Sequence, residues 1–125
     1  MAGEKVVFQT CEFFKNTFQE KAGENPVVKQ KFDDFVKYKT ENPMSSFGSS
    51  DEPYTGKGPL AKAVPGLKHA HVTRDISIMY TLSGNNPRVI RLFGIVSHAD
   101  SGTGTPANIK KQQSLGKRLA NQTFS

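Results

Sequence analysis

Cysteine occurs once, at Cys11, tryptophan is absent, and acidic side chains almost disappear beyond Glu52. A single thiol excludes an intramolecular disulfide framework and any cysteine-rich zinc site. No apolar stretch approaches the roughly 18–20 residues needed to cross a bilayer, and MAGEKVVFQT lacks the apolar core of a signal peptide. These absences lead us to expect a cytoplasmic protein with no membrane association. The 125 residues fit one domain, 1–125, and 35% hydrophobic residues suffice for a packed core rather than a disordered chain.

The scarcity of acid is uneven. Residues 1–60 carry eight basic and nine acidic side chains, whereas residues 61–125 carry nine basic ones against Asp75 and Asp100 alone, a net of +7. A half-domain of that sign attracts polyanions, nucleic acid being the commonest. A solubilising basic face is the competing reading.

Glu4–Gln9 is β-branched and aromatic at its centre and predicts a first strand. Thr10 is placed to cap a helix carrying Cys11, Phe14 and Phe18 at helical spacing, with Gly23 as a left-handed stop. Asn25-Pro26 opens a second helix whose Val28, Phe32, Phe35 and Val36 form one apolar stripe, closed by Asn42-Pro43. Met44–Pro59, rich in Ser, Gly and Pro, predicts a mobile loop. Three strands follow. Leu67–Thr73 sets Leu67, His69, His71 and Thr73 against Lys68, Ala70 and Val72. Asp75–Leu82 groups Ile76, Ile78, Tyr80 and Leu82, and Arg88–Val96 is more continuously apolar. Residues 105–125 predict a basic helical tail with Lys110 and Lys117 on one face and Lys111 and Arg118 on another.

The only histidines are His69, His71 and His98. The first two share a strand face, and strand pairing brings His98 toward it. Imidazoles titrate near neutrality and serve as general acid and base, and a nearby carboxylate such as Asp75 orients them. In a basic half-domain that group suits phosphodiester cleavage, with RNA supplying its own 2′-hydroxyl and no metal or cofactor required. Three plainer readings remain open: histidines gathered by chance, an H-x-H metal site completed by His98, and Asp75 as a turn residue.

Pro59-Leu60, Gly66-Leu67-Lys68-His69-Ala70-His71-Val72, Asp75, Ile78-Met79-Tyr80, Arg91-Leu92 and Ser97-His98-Ala99-Asp100 together resemble the RelE/ParE superfamily of toxins. The YafQ-type mRNA interferases are the nearest branch. The resemblance implies an α+β fold: a small RelE-like domain with an antiparallel-rich sheet, two N-terminal helices on one face and a basic C-terminal helix. It also implies ribosome-dependent, metal-independent endonucleolytic cleavage of mRNA, and a cognate antitoxin. His71 and Asp75 match the family's catalytic His and Asp, and His98 matches its second catalytic His. His69 stands where the family has a further functional Asp. The family's upstream His is Gly58 here, its Trp is Ile76, its strand Arg is Gly94 and its later aromatic is Gly102. Lys68, Arg74 and Arg91 are candidates to replace the lost phosphate contact, and Lys110, Lys111, Lys117 and Arg118 to extend RNA binding. The alternative from another class is a catalytically weak binding module of the same fold, acting on the ribosome, RNA or a protein such as DNA gyrase.

Overall fold

The computed structural model describes residues 5–48, 50–54 and 57–125. Strand β1 (Val6–Thr10) leads into helices α1 (Glu12–Ala22) and α2 (Pro26–Glu41). Strand β2 (Asp51–Pro53) and the short helix α3 (Pro59–Ala63) follow. The antiparallel run β3 (Lys68–His71), β4 (Ile76–Gly84) and β5 (Arg88–Ser97) comes next, then α4 (His98–Ser101) and α5 (Ile109–Ala120). The strands form one sheet in the order β1-β5-β4-β3-β2, antiparallel except for the parallel β1–β5 pair. This is the expected α+β, antiparallel-rich arrangement.

Alternation decides which face each strand residue serves. Ala70, Ile78, Tyr80, Ile90 and Leu92 point to one side, where they pack with Phe14 of α1 and Val28 and Phe35 of α2. Met79, Phe93 and Val96 point to the other, where Leu60 of α3 and Leu115 and Leu119 of α5 cover them. Complete burial of such side chains contributes about 1.5–3 kcal/mol each. A bulge makes this division possible in β5. Tyr80 pairs with Leu92 and Met79 with Gly94, so Phe93 is an extra residue and the parity shifts beyond it. Val96 thereby turns to the α3/α5 side.

Strand β1 reaches only as far as Leu92 on β5. Helix α1 takes over that edge: the Ile95 N–H donates to Thr17 Oγ1 (2.9 Å), and the Cys11 thiol approaches the Leu92 and Phe93 carbonyls.

Local details differ from the sequence expectations. Glu4, the expected start of the first strand, lies outside the described residues. The cap of α1 is Cys11, without a side-chain bond; Thr10 is the last residue of β1, its backbone bonded to Ser125. Gly23 does cap the C-terminus of α1, but in a right-handed conformation at φ −57° rather than a left-handed one. Asn25 does cap α2, accepting from the Val27 and Val28 N–H groups.

The larger correction concerns Met44–Pro59, expected as a loop throughout. Asp51 is buried and ion-paired to the equally buried Lys39 of α2 at 2.8 Å. Tyr80 Oη donates to the same carboxylate, as does the Phe47 N–H (2.7 Å), while Lys39 also donates to the Ser45 carbonyl. Burial drives the Lys39 ammonium below its ordinary pKa, opposed by Asp51, and pushes the Tyr80 phenol up. Pinned in this way, Asp51–Pro53 pairs with β3. Replacing Lys39 by Met strands a buried carboxylate, so unfolding in urea should show a loss of about 3–5 kcal/mol; a loss below 1 kcal/mol would mean the pair does not hold the segment.

Candidate active site

Helices α3 and α5 cover only part of the second sheet face. The uncovered strip of β3, β4 and β5 forms the floor of a cavity of about 340 Å³, lined there by His69, Ser77 and Val96 and, from the first residue of α4, by His98. Glu52, Pro53 and Tyr54 from β2 and the residue after it form one wall. Gly58, Leu60 and Ala61 form a second, and Ser101, Thr103 and Gln112 a third.

Of the three histidines, His69 and His98 line this cavity, whereas His71 borders a second depression with Phe47, Ser50 and Val72. His69 and His71, two apart on β3, lie 5.5 Å apart between ring centroids, and His71 and His98 lie 5.5 Å apart. His71 Nε2 faces His98 Nε2 at 3.4 Å. At its far side His71 Nδ1 lies 3.3 Å from the Ser50 carbonyl, and His98 Nδ1 lies 3.3 Å from Asp75 Oδ1. A carbonyl and a carboxylate only accept, so both Nδ1 atoms carry hydrogen. Two neutral rings so oriented would oppose two Nε2 lone pairs. A hydrogen bond between the two Nε2 atoms requires a proton on one of them.

Asp75 is held by its turn. Thr73 Oγ1 accepts from the Asp75 and Ile76 N–H groups, which leaves the Asp75 carboxylate free for His98. Asp75 Oδ1 also accepts from the His98 backbone N–H at 3.1 Å. Asp100 serves elsewhere. It closes a capping box with Ser97 on α4 and pairs with Lys21 of α1 at 2.8 Å. Burial opposes its ionisation, yet Lys21 and Ser97 hold its carboxyl below the ordinary range.

His69 differs from its neighbours. Its ring lies 4.3 Å from that of Tyr54, and its Nδ1 is buried without a hydrogen-bond partner among the described residues. Burial, then repulsion from His71, lowers its pKa below 6.5. Tyr54 is itself pushed well above the ordinary phenol range by burial. Neither Tyr54 nor the Ser50 carbonyl was visible as a site group beforehand: one lay in the expected loop, and the other is backbone. Among the described residues no group of three His, Cys, Asp or Glu side chains is arranged to hold a metal ion.

The basic candidates disperse. Lys111 borders His98 and donates to the Ala99 carbonyl (3.0 Å), in the first turn of α5, whose dipole adds to the positive potential. Arg74 is exposed in the same turn as Asp75. Lys68 is on the opposite sheet face, over the Tyr80 ring. Arg91 stacks on Phe124 and bonds Gln9, about 20 Å along β5 from Ser97. Arg118 lies over Phe13, Lys117 borders α3, and Lys110 is exposed.

Two of the departures noted in the sequence are sterically fixed. A Cβ on Gly94 would come within 2.8 Å of the Phe13 ring, and one on Gly102 within 2.4 Å of the Asn108 carbonyl. Gly102 is also left-handed, at φ 77°. Neither position can carry the family's Arg or aromatic side chain in this packing.

No protein-family model and no curated protein matches the chain. Solved structures do. A YoeB/ParE toxin from Agrobacterium tumefaciens superposes with a TM-score of 0.57 at 16% identity, covering 75% of this chain and 98% of that one. The toxin–antitoxin complex DinJ-YafQ of E. coli gives 0.54 at 16% identity, covering 78% and 96%. The chain therefore has the RelE/ParE-type toxin fold, YafQ-like in its arrangement.

The lowered pKa of His69 fixes the sign of a pH effect. Its neutral form favours the folded state above pH 6.5, and that contribution is lost as pH falls through 6.5 toward the folded value. Urea unfolding at pH 7.5 and 5.0 should show a smaller acid loss for His69→Phe, which keeps a ring against Tyr54, than for the unmodified protein. Equal losses would place the acid sensitivity elsewhere.

Proposed function

We propose that this protein is a toxin of toxin–antitoxin type that cleaves mRNA, on the ribosome, by metal-independent acid/base catalysis. The observation that carries this reading is the Asp75–His98–His71–Ser50 carbonyl line, with two Nε2 atoms meeting at 3.4 Å beside an open cavity. The shared fold with two toxins supports the toxin assignment, and the DinJ-YafQ complex supports a protein antitoxin as partner.

The chemistry follows from the second neighbours of each ring. His71 gives its Nδ1–H to a neutral carbonyl and keeps an Nε2 lone pair, which suits it to take the proton of the 2′-hydroxyl. The 2′-oxygen then attacks the adjacent phosphorus, and the bond to the departing 5′-oxygen breaks. His98, oriented through its Nδ1 by Asp75, delivers a proton from Nε2 to that leaving oxygen. The products are a 2′,3′-cyclic phosphate and a 5′-hydroxyl, and the pair ends with its proton moved from one ring to the other. Lys111 and Arg74 flank this end of the sheet and supply positive charge toward the phosphate.

A specific observation favours the second reading, a catalytically weak binding module. With Gly94 and Gly102 closed to side chains, no Arg or aromatic group reaches the cavity from those positions. The two readings part in primer extension on a translated message. Cleavage should appear at defined codons and persist in chelator, and His71→Ala or His98→Ala should each lower it about 10²–10⁴-fold. Asp75→Asn should also lower it while leaving the unfolding midpoint in place. Growth arrest with intact message would favour the binding module, and full cleavage by the double His71→Ala, His98→Ala variant would overturn the acid/base assignment.

A further inference from the structure

The layer formed by α3 and α5 contains a second charged feature, away from the histidine line. Lys57, Lys62 and Lys117, together with Pro59, Ala63 and Gln113, line one shallow depression on the outer side of that layer. All three lysines are exposed. They come from different parts of the chain and are drawn together by a close helix contact. A Cβ on Gly116 would lie 2.8 Å from Ala63 Cβ, so glycine there is what lets α5 approach α3. The salt bridges among the described residues include none of the three. The reason lies in the sequence: no acidic residue occurs between Glu52 and Asp75 or after Asp100, the two stretches that supply α3 and α5.

Three ammonium groups around one depression repel each other, and among the described residues no acidic side chain lines it to offset this. An anion with more than one negative group would complete the arrangement. Gly58 and Pro59 join the depression to the cavity: Gly58 lines the cavity wall, and Pro59, its neighbour in sequence, lines the depression.

We infer that Lys57, Lys62 and Lys117 form a track for the sugar–phosphate backbone of an RNA strand whose neighbouring segment enters the histidine cavity. This rests on the reading of that cavity as an RNA-cleaving site. The contact is electrostatic and sequence-independent, so it orients the strand without selecting codons.

The test uses the full chain, a fluorescein-labelled 16-nucleotide single-stranded RNA of mixed sequence, and a salt series. Each phosphate contact to a single strand contributes about 0.7 to the slope of log affinity against log salt. The Lys57→Ala, Lys62→Ala, Lys117→Ala variant should therefore bind more weakly at low salt, with a slope shallower by about 2. Its deficit should shrink roughly twentyfold between 50 and 200 mM salt. Lys29→Ala, which removes a lysine already paired with Asp33, is the control and should match the unmodified protein. The double His71→Ala, His98→Ala variant should keep the full slope while losing cleavage, which separates the track from the chemistry. Unmodified affinity and slope in the triple lysine variant would overturn the track, whatever happens to cleavage.

Discussion

The buried pair of Lys39 and Asp51 is the contact on which the site depends. Removing an ammonium and a carboxylate from water is costly, and the cost is met only where the geometry saturates both groups. Here Tyr80 and the Phe47 N–H complete the carboxylate, and the Ser45 carbonyl helps complete the ammonium. Once Asp51 is fixed, Glu52 pairs with His69, the Ser50 carbonyl reaches both the His71 ring and its backbone N–H, and Tyr54 falls beside His69. The orientation of two imidazoles on one sheet face is thus set by an ion pair on the other.

Much of the fold was legible because it rests on periodicity. The grouping of Ile76, Ile78, Tyr80 and Leu82, the split of His69 and His71 from Lys68 and Ala70, and the Asn25-Pro26 start all follow from local rules, and the structure shows each. What stayed hidden was non-local. Lys39 reads as one more polar residue on a solvated helix face, and Asp51 as part of a flexible stretch; their pairing joins residues no periodicity connects. The bulge at Phe93 is likewise silent in a strand that is apolar throughout, yet it decides that Val96 faces the cavity. The parallel placement of β1 against β5 required knowing that β5 is the strand left open to it.

The site was legible to the same depth. The spacing of His69 and His71 placed them on one face, and antiparallel pairing made the approach of His98 foreseeable. The groups that set the tautomers were not foreseeable as a set: Asp75 was, because it is an isolated acid beside a histidine, but a main-chain carbonyl leaves no trace in residue identity. Helical period grouped the basic tail correctly by face, while only packing could show that Lys111 borders His98, Lys117 borders α3 and Arg118 covers Phe13.

The contact between Phe13 and Gly94 has a bearing on how such a site can change over generations. An aromatic ring on α1 and any side chain at position 94 compete for the same space. A side chain introduced at position 94 is therefore strained while Phe13 remains, and loss of the ring opens a void while Gly94 remains. Each change becomes acceptable only in the presence of the other, which makes the two positions strongly non-additive.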